Sequence, residues 1–259
     1  MLLSNKKLKL LIDADMFVFR ACAAVERPID WDCGITTLHC EHTEAEALVD
    51  DMVIGIVDKV LDHYKHEGKY EIIMCFSDAN NFRKTILPTY KMNRAGKRKP
   101  LGYQIVVDWV KDNFTCYQKN GLEADDCIGI LATLNPDSSV IISGDKDFKS
   151  IPGRFYNFLN DTYYTISEQE ADYNHLYQTL IGDAADNYKG CPGVGAVTAK
   201  KILDESPTWE ACLAQFVKKN LTEEEALTQA RVARILRKQD YDFTYKCPIL
   251  WTPKWHTYM

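Results

Sequence analysis

The order of predicted strands and helices constrains the fold of this chain more than any other feature of its sequence. Four short segments rich in apolar and β-branched residues predict strands, at 8–12, 70–77, 115–118 and 139–143. Segments with helical spacing of apolar residues lie between or beside them, at 48–60, 103–114 and 123–134. Because strands that alternate with helices are typical of a parallel sheet flanked by helices, the sequence predicts an α/β fold.

The C-terminal part of the chain has a different pattern. The strand signal fades after about residue 166, and two capping boxes, Ser167 with Glu170 and Thr222 with Glu225, predict helices at 168–181 and 223–238. A turn rich in glycine follows the first of these helices. We therefore expect an α/β part over residues 1–166 and a helical part over residues 167–259.

Two internal segments carry no clear period. Residues 26–43 predict an inserted loop, and residues 79–100 predict an exposed loop or a flexible pair of helices. The stretch 79–107 contains no Asp or Glu but seven basic residues, although the net charge of the chain is −6. Because the charge is segregated, the acidic average does not exclude a nucleic-acid partner.

Composition excludes several classes of protein. With 259 residues, 46% of them hydrophobic and 26% charged, the chain can bury a core, which excludes a disordered protein. Its nine scattered cysteines are an odd number, which argues against a disulfide scaffold. The longest apolar runs, such as 128–134, are too short for a membrane span, and the N-terminus lacks the layout of a signal peptide. We expect a soluble, cytoplasmic protein with no membrane partner.

Acidic residues follow the predicted strands and begin the helical part. These nine carboxylates are Asp13, Asp78, Glu123, Asp125, Asp126, Asp145, Asp147, Asp183 and Asp186. Any one of them fits an ordinary cap or turn residue, but the set would converge at the carboxyl edge of a parallel sheet and repel unless cations neutralised it. Carboxylate oxygens suit Mg²⁺ or Mn²⁺ better than zinc. The pattern predicts a site for two divalent ions, which can activate a water and stabilise the leaving oxygen of a phosphodiester.

The motifs around these acids resemble those of the flap endonuclease and 5′→3′ exonuclease superfamily, most of all the 5′→3′ exonucleases of short-tailed bacteriophages. In chain order they are LIDAD, FSDANNFRK, LPTYKMNR, LEADD, ISGDKDF and GDAADNYKGCPGVGAVTAKKIL. Each is weak alone, but their order and spacing extend the resemblance over nearly the whole chain. The resemblance implies a PIN-like sheet of the flap-endonuclease type over 1–166, with 79–100 as an arch or gateway. It also implies a helix-three-turn-helix near 183–205 within a helical DNA-binding part.

The resemblance further implies a function. It indicates a metal-dependent 5′→3′ exonuclease or 5′-flap endonuclease that hydrolyses duplex or branched DNA with 5′ ends, in phage replication or recombination. RNA–DNA hybrids stay open as an alternative substrate. The nine acids would hold two or more Mg²⁺ or Mn²⁺ ions, with K⁺ as a further ion at the helix-three-turn-helix. The expected protein is a monomer in the cytoplasm of the bacterial host.

Basic residues gain roles from the same resemblance. Lys91 matches the family lysine that contacts the scissile phosphate, where a cation stabilises developing charge, and Arg94 is a second candidate for that role. Tyr90 is expected to stack on an unpaired base. The residues expected to bind backbone phosphates are Arg83, Lys84, Lys97, Arg98 and Lys99.

The glycine-rich turn has a chemistry of its own. Glycines let the backbone approach a phosphate closely, and the helix after the turn offers free N–H groups to an anion. Val197 departs from the family pattern, which commonly has lysine there. The expected DNA contacts are Gly190, Gly193, Gly195, Thr198, Lys200 and Lys201. The candidates for extending the duplex-binding surface are Arg231, Arg234 and Arg237.

Three alternatives stay open. One is a zinc site, although the spacing matches no strong template, at Cys33, His39, Cys40 and His42. Another is a haloacid-dehalogenase-like phosphatase, with Asp13 as nucleophile and Asp15 as acid, which leaves the other motifs unexplained. The third is a catalytically inactive DNA-junction binder, which predicts a missing acid, whereas none of the nine is missing.

Overall fold

The central sheet positions the candidate site. A computed structural model describes residues 7–253 of the protein. The strands in chain order are β1 (Leu8–Asp13), β2 (Arg27–Trp31), β3 (Ile35–His39), β4 (Tyr70–Cys75), β5 (Cys116–Tyr117), β6 (Ser139–Ser143), β7 (Gly153–Asn157), β8 (Thr162–Ile166), β9 (Tyr241–Asp242) and β10 (Cys247–Pro248). One sheet has the order β5–β4–β1–β6–β7–β8, and every neighbouring pair in it is parallel except β7 with β8. The predicted α/β fold with a parallel sheet is confirmed, and β7 and β8 extend the sheet beyond the four predicted strands.

Helices cover both faces of this sheet. In chain order they are α1 (Ala14–Val25), α2 (His42–Tyr64), α3 (Arg83–Ile86), α4 (Tyr103–Asn113), α5 (Ala124–Leu134), α6 (Glu168–Ile181), α7 (Ala196–Glu205), α8 (Trp209–Val217) and α9 (Glu223–Ala233). Strand β1 shows the two layers: Leu10 and Ile12 pack with α1, α2 and α4, whereas Leu11 packs with α5. Burying each such side chain stabilises the fold by about 1.5–3 kcal/mol.

Capping boxes begin two helices where the sequence predicts them. The Ser167 hydroxyl accepts from the Glu170 N–H at 3.2 Å and Glu170 Oε2 accepts from the Ser167 N–H at 2.8 Å, so α6 covers the predicted range. The second box, at Thr222, begins α9. Helix α9 ends at Ala233 instead of residue 238, because Arg234 is extended and its side chain is buried. Helix α8 was not predicted.

Residues 26–43 contain a β-hairpin, which corrects the expected loop. Strand β2 pairs antiparallel with β3, with Trp31 opposite Ile35. The side chains of both strands are largely exposed to solvent. Because neither face of the hairpin is well buried, no apolar alternation marks its strands in the sequence.

The basic segment, residues 79–100, forms helix α3 and a 3₁₀ turn at Met92–Arg94. After it, helices α6–α9 surround a hydrophobic cluster of their own. Ala171 of α6 and Leu236 pack instead in the cluster under the sheet, so the division of the chain at residue 166 stays a prediction. Within residues 7–253, no helix is long and apolar enough to cross a membrane.

Candidate active site

The carboxyl ends of β1 and β6 bring three candidate acids together. Asp13 ends β1, and its Oδ2 accepts a 2.9 Å hydrogen bond from the Ser143 hydroxyl at the end of β6. The Ser143 Oγ accepts from the Asp145 N–H at 3.0 Å, and Asp145 Oδ1 accepts from the Asp147 N–H at 2.9 Å. The two neighbouring parallel strands thus place these acids at one edge of the sheet, the carboxyl edge.

The carboxylates at this edge are partly buried and close enough to repel one another. Burial, followed by the charge of Asp15, raises the pKa of Asp13 to about 7. Burial and the charge of Asp145 raise the pKa of Asp147 to about 7. Asp125, in the first turn of α5, has a pKa well above its ordinary value because of burial and the charges of Asp13 and Asp145. A cation at this edge would therefore be stabilising.

The donor atoms fit a hard divalent cation. They are carboxylate oxygens, and among the described residues Asp147 Oδ1 is buried with no hydrogen-bond partner. Within residues 7–253, no three His, Cys, Asp or Glu side chains form a group that could hold a metal ion as they stand. Mg²⁺ needs no such cage, since it keeps several waters and commonly binds through one or two carboxylates. The chemistry of the edge thus fits Mg²⁺ or Mn²⁺ bound partly through water.

Two further acids are already paired with cations. Glu123 is the N-cap of α5, and Asp186 lies in the turn after α6. Lys91 forms an ion pair with Glu123 and lies 3.4 Å from Asp186 Oδ2, and Arg94 Nη2 lies 2.5 Å from Asp186 Oδ1. Burial acts to raise the pKa of Glu123, but the charges of Arg83 and Lys91 outweigh it and lower this pKa to about 2. The site therefore has one repelling half and one neutralised half.

Asp183 lies close enough to the edge to act on its acids, whereas the contacts of Asp78 among the described residues are with backbone N–H groups. Burial is the largest cause of the raised pKa of Asp145, and the charges of Asp186 and Asp183 add to it. Asp183 Oδ1 also accepts from the Ala185 N–H at 2.6 Å. Asp78 follows β4, and a 2.8 Å hydrogen bond from the Gly121 N–H is the main cause of its lowered pKa. Backbone donors therefore help to hold both carboxylates in place.

Asp126 and Arg83 depart from their expected roles, because each neutralises the other in the interior. Asp126 is 0% exposed and Arg83 is 2% exposed. Both terminal nitrogens of Arg83 donate to the Asp126 carboxylate, and its Nε donates to the carbonyl oxygen of Val232. The expected phosphate contact of Arg83 and the expected metal ligand at Asp126 are corrected accordingly.

Tyr90 is also buried, at 3% exposed, so the expected stacking on a base does not fit its position. Its hydroxyl lies 3.0 Å from Glu123 Oε2 and 2.9 Å from Asp186 Oδ2, where it bridges the two neutralised acids. The remaining basic residues of the segment are exposed, as a phosphate contact requires, at Lys84, Lys97, Arg98 and Lys99. Of these, Arg98 also pairs with Glu26 at 2.6 Å.

The glycines of the turn between α6 and α7 have different roles. Gly190 is buried at φ +62°, and a Cβ there would lie 2.3 Å from Gly182 N. Glycine is therefore needed at this position for the two parts of the turn to pack closely, and the expected phosphate contact of Gly190 is corrected. Gly195, the N-cap of α7, is open, since a Cβ there would meet nothing within 4 Å. Other expected contacts are exposed, namely Gly193, Thr198, Lys200 and Lys201, as is Val197 at 85%.

Arg234 and Arg237 do not extend a DNA-binding surface, because both are buried. Arg234 pairs with Asp240 at 2.8 Å, and Arg237 pairs with Asp172 at 2.8 Å. Arg231 Nη1 lies 3.0 Å from a Glu224 oxygen. These arginines form ion pairs within the helical part.

The zinc alternative finds no support in the described part of the chain. Cys33 is exposed, and His42 Nδ1 lies 3.0 Å from Glu46 Oε1. These residues belong to the β2–β3 hairpin and the start of α2, and they assemble no group that could hold a metal within residues 7–253.

Three polar residues that support the site were not predicted. Ser143 links Asp13 with Asp145, and its place at the end of β6 was the available signal. The Ser77 N–H and the Tyr103 hydroxyl each donate to Asp15 at 2.9 Å, across 62 and 88 residues, so no local pattern could reveal them. Because both Asp15 oxygens accept these bonds, Asp15 is poorly placed to act as the acid of a phosphatase.

Known proteins resemble this chain in sequence. A family model described as 5′-3′ exonuclease, N-terminal resolvase-like domain, matches residues 8–176. The chain is 31% identical to the exodeoxyribonuclease of Enterobacteria phage T3, with 95% of this chain and 93% of that protein covered. It is 32% identical to the exonuclease of Escherichia phage T7, with 94% and 93% covered.

Solved structures share the fold. The flap endonuclease of bacteriophage T5, in a pseudo-enzyme–product complex with DNA and metal ions, matches with a TM-score of 0.63 at 16% identity, over 88% of this chain and 89% of that one. The T5 protein crystallised with metal ions matches with a TM-score of 0.62 at 17% identity, over 88% and 89% of the two chains. At 16% and 17% identity, this structural similarity shows that the chain has the same fold.

Proposed function

The chain belongs to the 5′-3′ exonuclease family and is a 5′→3′ exonuclease or flap endonuclease; from this premise we propose that it hydrolyses phosphodiester bonds of duplex or branched DNA at 5′ ends with two or more divalent ions, Mg²⁺ or Mn²⁺. The observation that carries the proposal is the carboxyl edge, where acids with raised pKa values, such as Asp13 and Asp125, accompany Glu123 and Asp186, the two acids that pair with Lys91 and Arg94. Without cations these carboxylates would repel a phosphodiester, so an enzyme that cleaves DNA at this edge requires them.

The ions would be held by the acids that remain at the edge once Asp126 is set aside. Bound there, divalent ions supply a nucleophilic water near neutral pH and stabilise charge on the leaving oxygen. Lys91 and Arg94 would bind the scissile phosphate and stabilise its developing charge. The acids proposed to hold the ions are Asp13, Asp78, Glu123, Asp125, Asp145, Asp147, Asp183 and Asp186.

Exposed cations would hold the DNA backbone outside the site. Lys84, Lys97, Arg98 and Lys99 carry charge suited to phosphates without reading sequence. The N-terminus of α7 offers free N–H groups to a duplex phosphate. Its neighbours Gly193, Gly195, Thr198, Lys200 and Lys201 are part of the same proposed contact, with K⁺ bound to carbonyls of that turn.

The sequence relatives suggest the setting. Since the T3 and T7 proteins are phage nucleases, we place this enzyme in phage DNA replication or recombination, in the host cytoplasm and as a monomer. RNA–DNA hybrids are included as substrates to be tested.

The test is a product ladder at single-nucleotide resolution on 3′-labelled substrates, in Mg²⁺ and in EDTA. The substrates are a blunt duplex, a 5′ flap and a duplex with a 5′ RNA segment. Stepwise shortening of the duplex in Mg²⁺ identifies an exonuclease, and a single cut near the flap junction identifies a flap endonuclease. Cleavage that persists in EDTA contradicts the metal-dependent proposal.

A matched pair of variants tests the carboxyl edge itself. Asp145→Asn removes a charge at the edge, and Asp112→Asn removes one from an exposed position at the end of α4. We expect Asp145→Asn to abolish turnover while DNA binding is retained or strengthened, and Asp112→Asn to behave as the wild type. Equal loss of binding and cleavage in Asp145→Asn would show that Asp145 acts structurally.

A further inference from the structure

The four carboxylate oxygens of Glu123 and Asp186 are all occupied by side chains of the basic segment. Glu123 Oε1 accepts from Lys91, and Glu123 Oε2 accepts from Arg83 at 3.1 Å and from Tyr90. Asp186 Oδ1 accepts from Arg94, and Asp186 Oδ2 lies 2.9 Å from the Tyr90 hydroxyl and 3.4 Å from Lys91 Nζ. A divalent ion that binds these oxygens is repelled by the positive charges already bonded to them, so it must compete with the charged donors.

The segment that carries Lys91 packs against the turn after α6. The Lys91 N–H donates to the Asp186 carbonyl at 2.9 Å, and Asn93 Nδ2 donates to the Ala184 carbonyl at 2.9 Å. Asn187 Nδ2 in turn donates to the Thr89 carbonyl at 2.7 Å. These contacts fix the backbone at Lys91, from which the ammonium reaches the two acids, and the Lys91 side chain is only 18% exposed.

Arg83 and Lys91 differ in how tightly they are held there. Arg83 is enclosed and donates to two carbonyl oxygens besides its carboxylates, so it cannot leave without breaking a buried network. The side chains of Lys91 and Arg94 form ion pairs with carboxylates. Arg94 also donates to one exposed carbonyl oxygen, at 3.3 Å. Both have long flexible stems, so another anion can draw them away from the acids.

We propose that Lys91 and Arg94 form a displaceable cationic cap over Glu123 and Asp186, which a phosphodiester removes by taking the two cations for itself. In the DNA-free protein the cap competes with a divalent ion for these carboxylates. When a phosphate draws Lys91 and Arg94 away, the carboxylates are freed for the ion. DNA phosphate and divalent ion therefore bind cooperatively, each strengthening the other by the same factor. The part that involves the phosphate rests on the proposed function.

The test measures Mn²⁺ affinity of the DNA-free, full-length protein by isothermal titration calorimetry. Lys91→Met removes the cap charge and keeps the stem, and Lys218→Met removes the same charge from an exposed position at the end of α8, outside the proposed DNA contacts. We expect Lys91→Met to bind Mn²⁺ at least about fivefold more tightly than the wild type, in the range usual for coupled sites. Lys218→Met should change the affinity by less than about twofold, because exposed charges are screened, and Lys91→Arg should restore the weaker binding.

A second titration adds a cleavage-resistant phosphorothioate duplex. The wild type should gain Mn²⁺ affinity on binding the duplex, and Lys91→Met should gain clearly less, since its cap is already reduced. Thermal melting of each variant confirms that it is folded. If Lys91→Met and the wild type bind Mn²⁺ with equal affinity in the absence of DNA, the cap proposal is wrong and the metal-dependent function is unaffected. Absence of Mn²⁺ binding by both proteins overturns the cap together with the metal-dependent function.

Discussion

The guanidinium of Arg83 and the carboxylate of Asp126 meet in the protein interior through two hydrogen bonds of 2.7 Å. Arg83 Nη2 also donates to the Arg234 carbonyl at 2.6 Å, and Asp126 Oδ1 accepts from the Leu236 N–H at 3.1 Å. The pair therefore joins the basic segment, the start of α5 and the chain after α9. Its role is to hold together the elements that carry the site.

Arg83→Met should destabilise the protein strongly, because it leaves the Asp126 carboxylate buried without its partner. Breaking a buried ion pair in this way costs about 3–5 kcal/mol in free energy of unfolding. Urea denaturation measures the loss. The control is Lys84→Met, at the exposed neighbouring position, which should change stability by less than about 0.5 kcal/mol. Equal midpoints for the two variants would contradict the structural role of Arg83.

Tyr90→Phe separates a hydroxyl role from a stacking role. The ring is kept, but the hydrogen bonds to Glu123 and Asp186 are lost. We expect Mn²⁺ affinity to fall about 10–100-fold, the usual effect of removing a group that orients metal ligands, because the neutral hydroxyl does not repel the ion as the charged Lys91 and Arg94 do. Tyr245→Phe, at a position 81% exposed, is the matched control. Unchanged Mn²⁺ affinity, with DNA binding also unchanged, would restore stacking as the function of the Tyr90 ring.

The carboxyl edge should make metal-free stability fall as pH rises. Folding raises the pKa of Asp13 and of Asp147 from 3.8 to about 7, so between pH 4 and 7 the folded state binds more protons than the unfolded state. The free energy of unfolding in EDTA should therefore decrease across this window. Mg²⁺, which binds the ionised carboxylates, should restore stability at pH 8.

The double variant Asp13→Asn with Asp147→Asn is the control for this pH effect, because it cannot ionise at either position. Its stability in EDTA should fall less than that of the wild type between pH 5 and 8. The buried His175 has a lowered pKa and acts in the opposite direction below pH 6.5, but it is the same in both proteins. Parallel pH curves for the two proteins in urea denaturation would refute this assignment.

Gly190→Ala should destabilise the turn between α6 and α7. The added methyl group would lie 2.3 Å from Gly182 N and 2.5 Å from the Leu180 carbonyl oxygen, at a φ of +62°. We expect a loss of at least about 2 kcal/mol in thermal or urea unfolding. Gly193→Ala has a similar φ of +75° but meets only the Lys219 ammonium at 3.4 Å, so it should cost about 1–2 kcal/mol. A smaller loss at Gly190 than at Gly193 would contradict the close approach.

Local patterns in the sequence predicted the main strands and helices that carry the site. Strand β6 and helix α6 have the predicted bounds, because apolar runs and a capping box act over a few neighbouring residues. The same holds for the acids after β1 and β6, since strand ends in a parallel sheet share one edge. The β2–β3 hairpin lacked such a signal because its side chains are largely exposed.

The sequence by itself determined the parallel α/β pattern, the acidic edge and the family motifs, whereas only the tertiary structure decided which charges are available at that edge. Arg83, Tyr90 and Asp126 lie in motifs that predict contact with DNA or metal, yet all three are buried. Their partners are distant in sequence: Arg83 bonds to Val232, 149 residues away, and Tyr90 to Asp186, 96 residues away. Residue type and spacing record local periods and caps, but whether a charged group meets solvent or a buried partner depends on long-range packing, which no local pattern encodes.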